Sequence, residues 1–397
     1  FYVDPLIELG DIEFSLDVSG FGDGGYEYSS TLNITVEVSL FQEGFPYDTN
    51  SEIKSSPVIV DLDNDGDNEI VFADYFGNVR VIKDGEELDN GQFPYDTGNQ
   101  IWGSISSADV DLDGYEDFVI SSKSGHLYIF DINGLKADYN AERWLIATPV
   151  IGNIDSDPEL EVVVGGYQSP ASTSPLVAVN HDGTSVDGFP YIVGEKIKSG
   201  VALADMNDNG IDDIVFGTDD GNVFLLLDDL SIPEGFPFIA DDKFSYSPVI
   251  IDDSEKKIII IPCENNHIYG ILDNGDLHFD INILSDIESS VSINTFQNNI
   301  LFYINIDNYV KAYNLNGELI YDIDGASKPV GSVIFSDLDA DGIAEMIIGD
   351  DSGYIYIYSL DDYTEHDLKI YNYFKLSSHL SVDDIDNDGD MEIVGGT

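Results

Sequence analysis

The chain is poor in positive charge. Its 397 residues include 15 lysines and arginines against 77 aspartates and glutamates, for a formal charge of −62. A field of that size and sign repels nucleic acid and anionic membrane surfaces, so neither is expected as a partner. Cys263 is the only cysteine, which rules out an intrachain disulfide. Runs of about 18 apolar residues are lacking, which argues against a membrane-inserted helix. No helical period of any length is found, so helices are not expected to build the core. Catalytic signatures are missing as well: there is no H-E-x-x-H, no G-x-S-x-G and no Walker loop. The six histidines (His126, His181, His267, His278, His366 and His379) are scattered.

What is present is ample apolar material, 43% of the residues with 12% aromatic, so a packed core is expected rather than disorder. The dominant feature is a repeat. Asp61-Leu-Asp-Asn-Asp-Gly-Asp-Asn-Glu69 leads into an apolar run at 70–73. Related acidic stretches begin at Asp109, Asn153, Asp205, Asp337 and Asp384, each followed at once by an apolar run. The starts lie 48, 44, 52, 132 and 47 residues apart, and the long gap is three times 44. Two worn copies fill it, around 250–260 and 291–303, which makes eight units of about 45 residues.

Each unit carries more than its loop. A glycine turn follows the second apolar run and opens an alternating strand, as at Gly77, Gly125, Gly221 and Gly353. Several units then close on Gly-Phe-Pro or a relative, at Pro46, Pro94, Pro190 and Pro237. Proline suits an outer edge strand because it cannot donate to a ladder. Four short strands per unit of this length predict an all-β fold, a β-propeller over 41–397 with eight blades, or seven as the alternative. The stretch 44–49 reads as an outer strand that completes the last blade. Residues 1–40 read as a β-hairpin, the tail of a preceding β-sandwich, because Ile12, Phe14, Leu16 and Val18 alternate, as do Leu32, Ile34, Val36 and Val38. Both chain ends, Phe1 without a preceding methionine or signal peptide and Gly395-Gly396-Thr397, read as cut from something longer.

The chemistry of the loops follows from their spacing. Alternate residues of a tight turn can aim three oxygens at one point, and Gly at position 6 permits the sharp bend. Position 7 adds a backbone carbonyl, and an acid at position 9 closes the set. Calcium takes six to eight hard oxygens, which such a loop can supply. Five bound Ca²⁺ would also neutralise ten of the negative charges. In an EF-hand the closing acid lies at position 12 on a helix. Here it lies at position 9 and a strand follows.

On these residues the chain resembles the FG-GAP/VCBS repeats of integrin-α-like propellers, over about 41–397. The resemblance implies calcium at Asp61, Asp63, Asp65 and Glu69; at Asp109, Asp111, Asp113 and Asp117; at Asp205, Asn207, Asn209 and Asp213; at Asp337, Asp339, Asp341 and Glu345; and at Asp384, Asp386, Asp388 and Glu392. The third loop departs from the pattern, with Asn153 for the first Asp and Pro158 for the Gly. Its Asn153, Asp155, Asp157 and Glu161 are therefore held apart as a sixth set. The fifth and sixth units lack the ligands and are expected to be metal-free.

These features predict a secreted or cell-surface module without catalytic activity, since calcium can staple an extracellular domain in place of disulfides. The expected partners are protein or glycan on a propeller face, further copies in a self-assembly, or neighbouring domains of a longer chain. The alternatives are an accessory domain of a secreted peptidase and an enzyme like a polysaccharide lyase. The latter chemistry calls for clustered basic residues, and none cluster in the sequence. Trp102 and Trp144, at similar distances before the second and third loops, read as blade-packing core. His126 and His267 read as strand-end surface residues rather than channel-facing ones, and Cys263 as an inert core thiol.

Overall fold

The computed structural model describes residues 10–21, 27–38, 41–42, 44–167, 170, 174–253, 256–296, 299–326, 328–360, 369–372 and 374–397. The chain divides into two compact units, Phe1–Asp48 and Thr49–Thr397. In the first unit, strands Gly10–Phe21 and Glu27–Val38 pair antiparallel with Leu16 opposite Leu32. Leu16, Val18 and Leu32 are each more than half exposed. The expected turn between the strands lies mostly outside the described residues. Residues 44–49, expected as an outer strand, carry no strand assignment.

Among the described residues the second unit is a ring of eight antiparallel sheets, here called blades 1 to 8. Their inner strands are Val58–Val60, Ser106–Ala108, Val150–Gly152, Ala202–Ala204, Val249–Asp252, Ser292–Phe296, Pro329–Ser336 and Leu380–Asp383. In blades 1 to 7 the strands follow in sequence order from inside to outside. Blade 8 pairs Leu380–Asp383 with Glu392–Gly395. Inner strands of successive blades lie side by side, blades 5 and 6 being joined by the Ser247–Ser290 bond, and the eighth lies beside the first. The ring is closed by a hydrogen bond from Ile53 N–H to the Thr397 carbonyl (3.1 Å). Ser381 Oγ adds a bond to the Pro57 carbonyl (2.6 Å). Among the described residues every regular element is a strand.

The core lies between blades rather than within one sheet. Leu62, Val71 and Val81 of blade 1 pack with Phe118, Ile120 and Phe130 of blade 2, and the same arrangement repeats round the ring. The physical reason is in the second strand of each blade. Glu69–Ala73, Asp117–Ser121, Glu161–Gly165 and Asp213–Gly217 are buried at every position, because both faces of each sheet are covered by a neighbour. Each such Val, Ile or Phe contributes about 1.5–3 kcal/mol of burial. Small hydroxyls at the start of the inner strands let the blades approach closely. Ser104 N–H bonds Thr148 Oγ1 (3.0 Å) and Ser247 N–H bonds Ser290 Oγ (3.1 Å). His379 takes the corresponding place in blade 8, against Gly331 of blade 7, where a Cβ would come within 2.5 Å of the imidazole.

Blades 5 and 6 have longer second strands, Lys257–Cys263 and Asn299–Ile306. Where the acidic loop is lost, the ladder runs on, and Ile258 to Ile261 are all fully buried. The Gly-Phe-Pro prolines differ slightly from expectation. Pro94, Pro190 and Pro237 immediately precede the short outer strands Tyr95–Asp96, Tyr191–Ile192 and Phe238–Ile239 rather than lying in them. Their Phe–Pro bonds are cis, and Phe93 is packed into the core.

Candidate metal centres

All six acidic loops join the first strand of a blade to its second, so they gather at one end of the strands. Five share one backbone path. Position 4 has positive φ at Asn64, Leu112, Asp208, Ala340 and Asn387, and position 6 is a positive-φ glycine at Gly66, Gly114, Gly210, Gly342 and Gly389. The position-1 Asp accepts the N–H of that glycine, as from Gly66 to Asp61 (3.0 Å) and from Gly342 to Asp337 (2.9 Å). The position-5 side chain accepts the N–H of position 7, as from Asp67 to Asp65 (3.0 Å) and from Asp390 to Asp388 (2.9 Å). These bonds hold the odd-numbered side chains in place.

The position-9 acid does two jobs. It opens the buried second strand, so Glu69, Asp117, Glu161, Asp213 and Glu345 are almost fully buried. One of its oxygens accepts the position-2 N–H across the loop: Leu62 to Glu69 (2.8 Å), Ile154 to Glu161 (2.9 Å), Leu338 to Glu345 (2.8 Å) and Ile385 to Glu392 (2.9 Å). The other oxygen is left to face positions 1 and 3. Carboxylate oxygens converge within 4.8 Å in Asp61, Asp63 and Glu69; Asp109, Asp111 and Asp117; Asp155, Asp157 and Glu161; Asp337, Asp339 and Glu345; and Asp384, Asp386 and Glu392. These clusters could hold a metal ion.

The third loop, set apart on its sequence, converges as well as the others. Asn153 donates from Nδ2 to the Asp157 carbonyl (3.0 Å), which restores the bend without Gly. The fourth loop is built differently. Asn207 and Asn209 both donate to Asp228 on the turn after the third strand (3.2 and 2.9 Å). In blade 5 Lys257 opens the second strand and bonds Asp208 and the Asp205 carbonyl of loop 4.

The donor set fits a hard cation, since every converging atom is oxygen. Asp61 Oδ1, Asp63 Oδ1, Asp111 Oδ1 and Asn153 Oδ1 are enclosed and accept no hydrogen bond among the described residues, and at Asn153 of the third loop a bound cation would satisfy the oxygen. The electrostatics agree. Burial pushes Glu161 up to about 7, and Asp155 and Asp157 push the same way. Burial likewise raises Asp117 to about 6, and it raises Glu69, Asp213 and Glu392. Such carboxylates gain most from a positive neighbour.

Blades 1 and 2 already supply one. Lys83 Nζ lies 2.8 Å from Asp63, 2.7 Å from Asp65 and 2.9 Å from Glu69. Lys136 Nζ lies 2.7 Å from Asp111 and 2.9 and 3.0 Å from the two oxygens of Asp117. Burial opposes both ammonium charges, yet the hydrogen bonds outweigh it and hold each lysine above its ordinary range.

The opposite strand ends carry a second set of features. There Trp102 and Trp144 are 45% and 46% exposed, so the expectation that they are blade-packing core is wrong. Lys123 lies between them, its Nζ 4.0 Å from one ring centroid and 5.0 Å from the other. The scarce cations also gather at this end, on segments leading into inner strands: Lys54, Arg143, Lys196, Lys198, Lys243, Lys328 and Lys375, with Lys123 on an adjacent turn. The sequence showed no such clustering, because the blade repeat spreads these residues over more than 300 positions. His126 and His267 each begin a third strand and bond Asp138 and Asp280, away from the ring centre. Cys263 is fully buried.

The fold and its loops define the class: an all-β propeller with acidic inter-strand loops able to take metal. No family model matches the chain, and no curated protein matches it. Solved propellers do. Sqt1 of Saccharomyces cerevisiae is similar at 9% identity and a TM-score of 0.61, over 87% of this chain and 93% of that one. BamB from Moraxella catarrhalis is similar at 14% identity and 0.57, over 84% and 94%. BBS1N, in complex with ARL6DN, is similar at 11% identity and 0.52, over 87% and 90%.

Proposed function

We propose that the chain is a calcium-stabilised, secreted or surface-borne propeller that binds protein or glycan and performs no chemistry itself. The observation that carries the binding role is the Trp102–Lys123–Trp144 platform. Two half-exposed indoles flank one ammonium in a chain with only two tryptophans and 15 cations. Exposed aromatics with a polar handle favour recognition, since they cover much area at small entropy cost. The platform lies at the strand ends away from the acidic loops, so metal there stabilises the ring without competing for the ligand. BBS1N, a structural neighbour, binds a protein partner, and a rigid propeller suits that use.

The calcium reading is supported by the convergence of hard oxygens at the loops and by their resemblance to FG-GAP/VCBS repeats. Calcium at millimolar levels is an extracellular staple, which agrees with a single buried cysteine and no disulfide. The absence of catalytic signatures in the sequence supports a binding role.

Both tryptophans belong to the platform, so their fluorescence reports on this face alone. Titration with peptides and with neutral and acidic oligosaccharides should shift or quench it for one class. Emission unchanged by every class, with binding detected elsewhere on the chain, removes the platform from the proposal.

A further inference from the structure

We propose that Lys83 and Lys136 are tethered cations that take the place of calcium in blades 1 and 2, so that these two loops stay closed without metal. The inference rests on the calcium reading of the remaining loops and goes beyond it.

The geometry argues this twice, by independent routes. Lys83 ends the third strand Asn78–Lys83 and sits across from Glu69 of the second. Its three N–H donors meet three carboxylates, Asp63, Asp65 and Glu69, all within 2.9 Å. Lys136 comes instead from the fourth strand, Gly134–Asn140, and reaches Asp111 and both oxygens of Asp117. Two lysines from different strands thus arrive at the same place in neighbouring blades. At the position across from the closing acid, blade 3 has Asn180 and blade 7 has Ser359, which carry no charge.

An ammonium and a calcium ion cannot share the spot. Calcium would sit about 2.4 Å from the same oxygens, close enough to the Nζ for strong repulsion. The two loops also differ from a bare acidic cluster in their response to salt and chelator. A covalently attached cation cannot be diluted or chelated, so blades 1 and 2 hold their loops at any calcium level. The rest of the ring then senses calcium from a pre-formed pair of blades.

The test counts calcium on the whole chain at a fixed saturating free concentration. Wild type, Lys83→Met, Lys136→Met and the double variant are compared by atomic absorption after equilibrium dialysis. One additional calcium is expected for each single variant and two for the double. In chelator each variant should melt below wild type, and calcium should restore the difference. Equal counts in all four proteins, with wild type binding at least one ion, overturn the inference and leave the calcium reading intact. No calcium in any of them overturns both. If Lys83→Met does not fold, Lys83→Gln carries the same count, because it keeps the donor and loses the charge.

Discussion

Lys83 Nζ is 2.9 Å from Glu69 Oε1, and Glu69 is almost fully buried while its other carboxylate oxygen receives the Leu62 N–H. One side chain therefore closes the loop, opens the buried second strand and partners a cation. Glu69→Ala should be destabilising by about 2–3 kcal/mol. That lies below the cost of breaking a wholly buried pair, because a fifth of the Lys83 side chain meets solvent. A urea midpoint within error of wild type at equal slope would contradict this.

Metal removal should lower stability through the loops that carry no lysine. In those loops three carboxylates face one another within 4.8 Å, as in Asp155, Asp157 and Glu161. Their mutual repulsion is relieved only by a cation. EDTA should lower the melting temperature by several degrees or more, on the order of a few kcal/mol, and added calcium should restore it. A melting curve indifferent to both removes calcium from the account.

Position 4 of the loops is a site of backbone strain. Leu112 holds φ of 55°, where Asn64 and Asn387 occupy the same place in other blades at lower cost. Leu112→Asn should therefore stabilise by about 0.5–1 kcal/mol. Gly114→Ala should do the reverse, by about 1–2 kcal/mol, since φ is +93° and no atom lies within 4 Å of an added Cβ. Chemical denaturation of the two variants separates strain from packing. Equal midpoints would refute the loop geometry.

Trp144→Ala should cost little stability, about 1 kcal/mol or less, because nearly half of the side chain is exposed. Phe118→Ala, which empties the core between blades 1 and 2, should cost about 3–5 kcal/mol. The two melting temperatures distinguish a ligand platform from blade packing. A Trp144→Ala variant as unstable as Phe118→Ala would return the tryptophan to the core.

Cys263 should behave as an inert thiol. Burial pushes its pKa up to about 11, above the ordinary thiol range near 8.5. The neutral form is favoured by folding, so this contribution to stability is complete below about pH 8.5 and is lost as pH rises towards 11. At pH 8 a thiol reagent should react only after denaturation. Rapid native-state labelling would show that strand 257–263 opens readily.

The loops were legible in the sequence, because their converging carboxylates come from one short stretch and local spacing decides where they point. The propeller was legible for a related reason: a blade that recurs every 45 residues or so repeats its strand pattern in plain view. The loss of the acidic loop in units 5 and 6 was legible too, since neither carries the D-x-D-x-D-G pattern. The third loop was less clear, because replacing Gly with Pro158 removes the local signal while the Asn153 side chain supplies the bend by another bond.

Tertiary structure alone decided what shares those loops and what lies at the other end of the strands. Lys136 stands 25 residues after Asp111, and nothing in its neighbourhood marks it as a partner of that acid. Lys83 likewise meets Asp63 across 20 residues. Trp102 and Trp144 are 42 positions apart and become neighbours of one ammonium only when adjacent blades stack. The sequence by itself determined the repeat and the carboxylate sets, which depend on contacts within a few residues. Strand pairing and blade packing decided which charges neutralise them and which aromatics stay exposed, since those contacts depend on register and on distance in space.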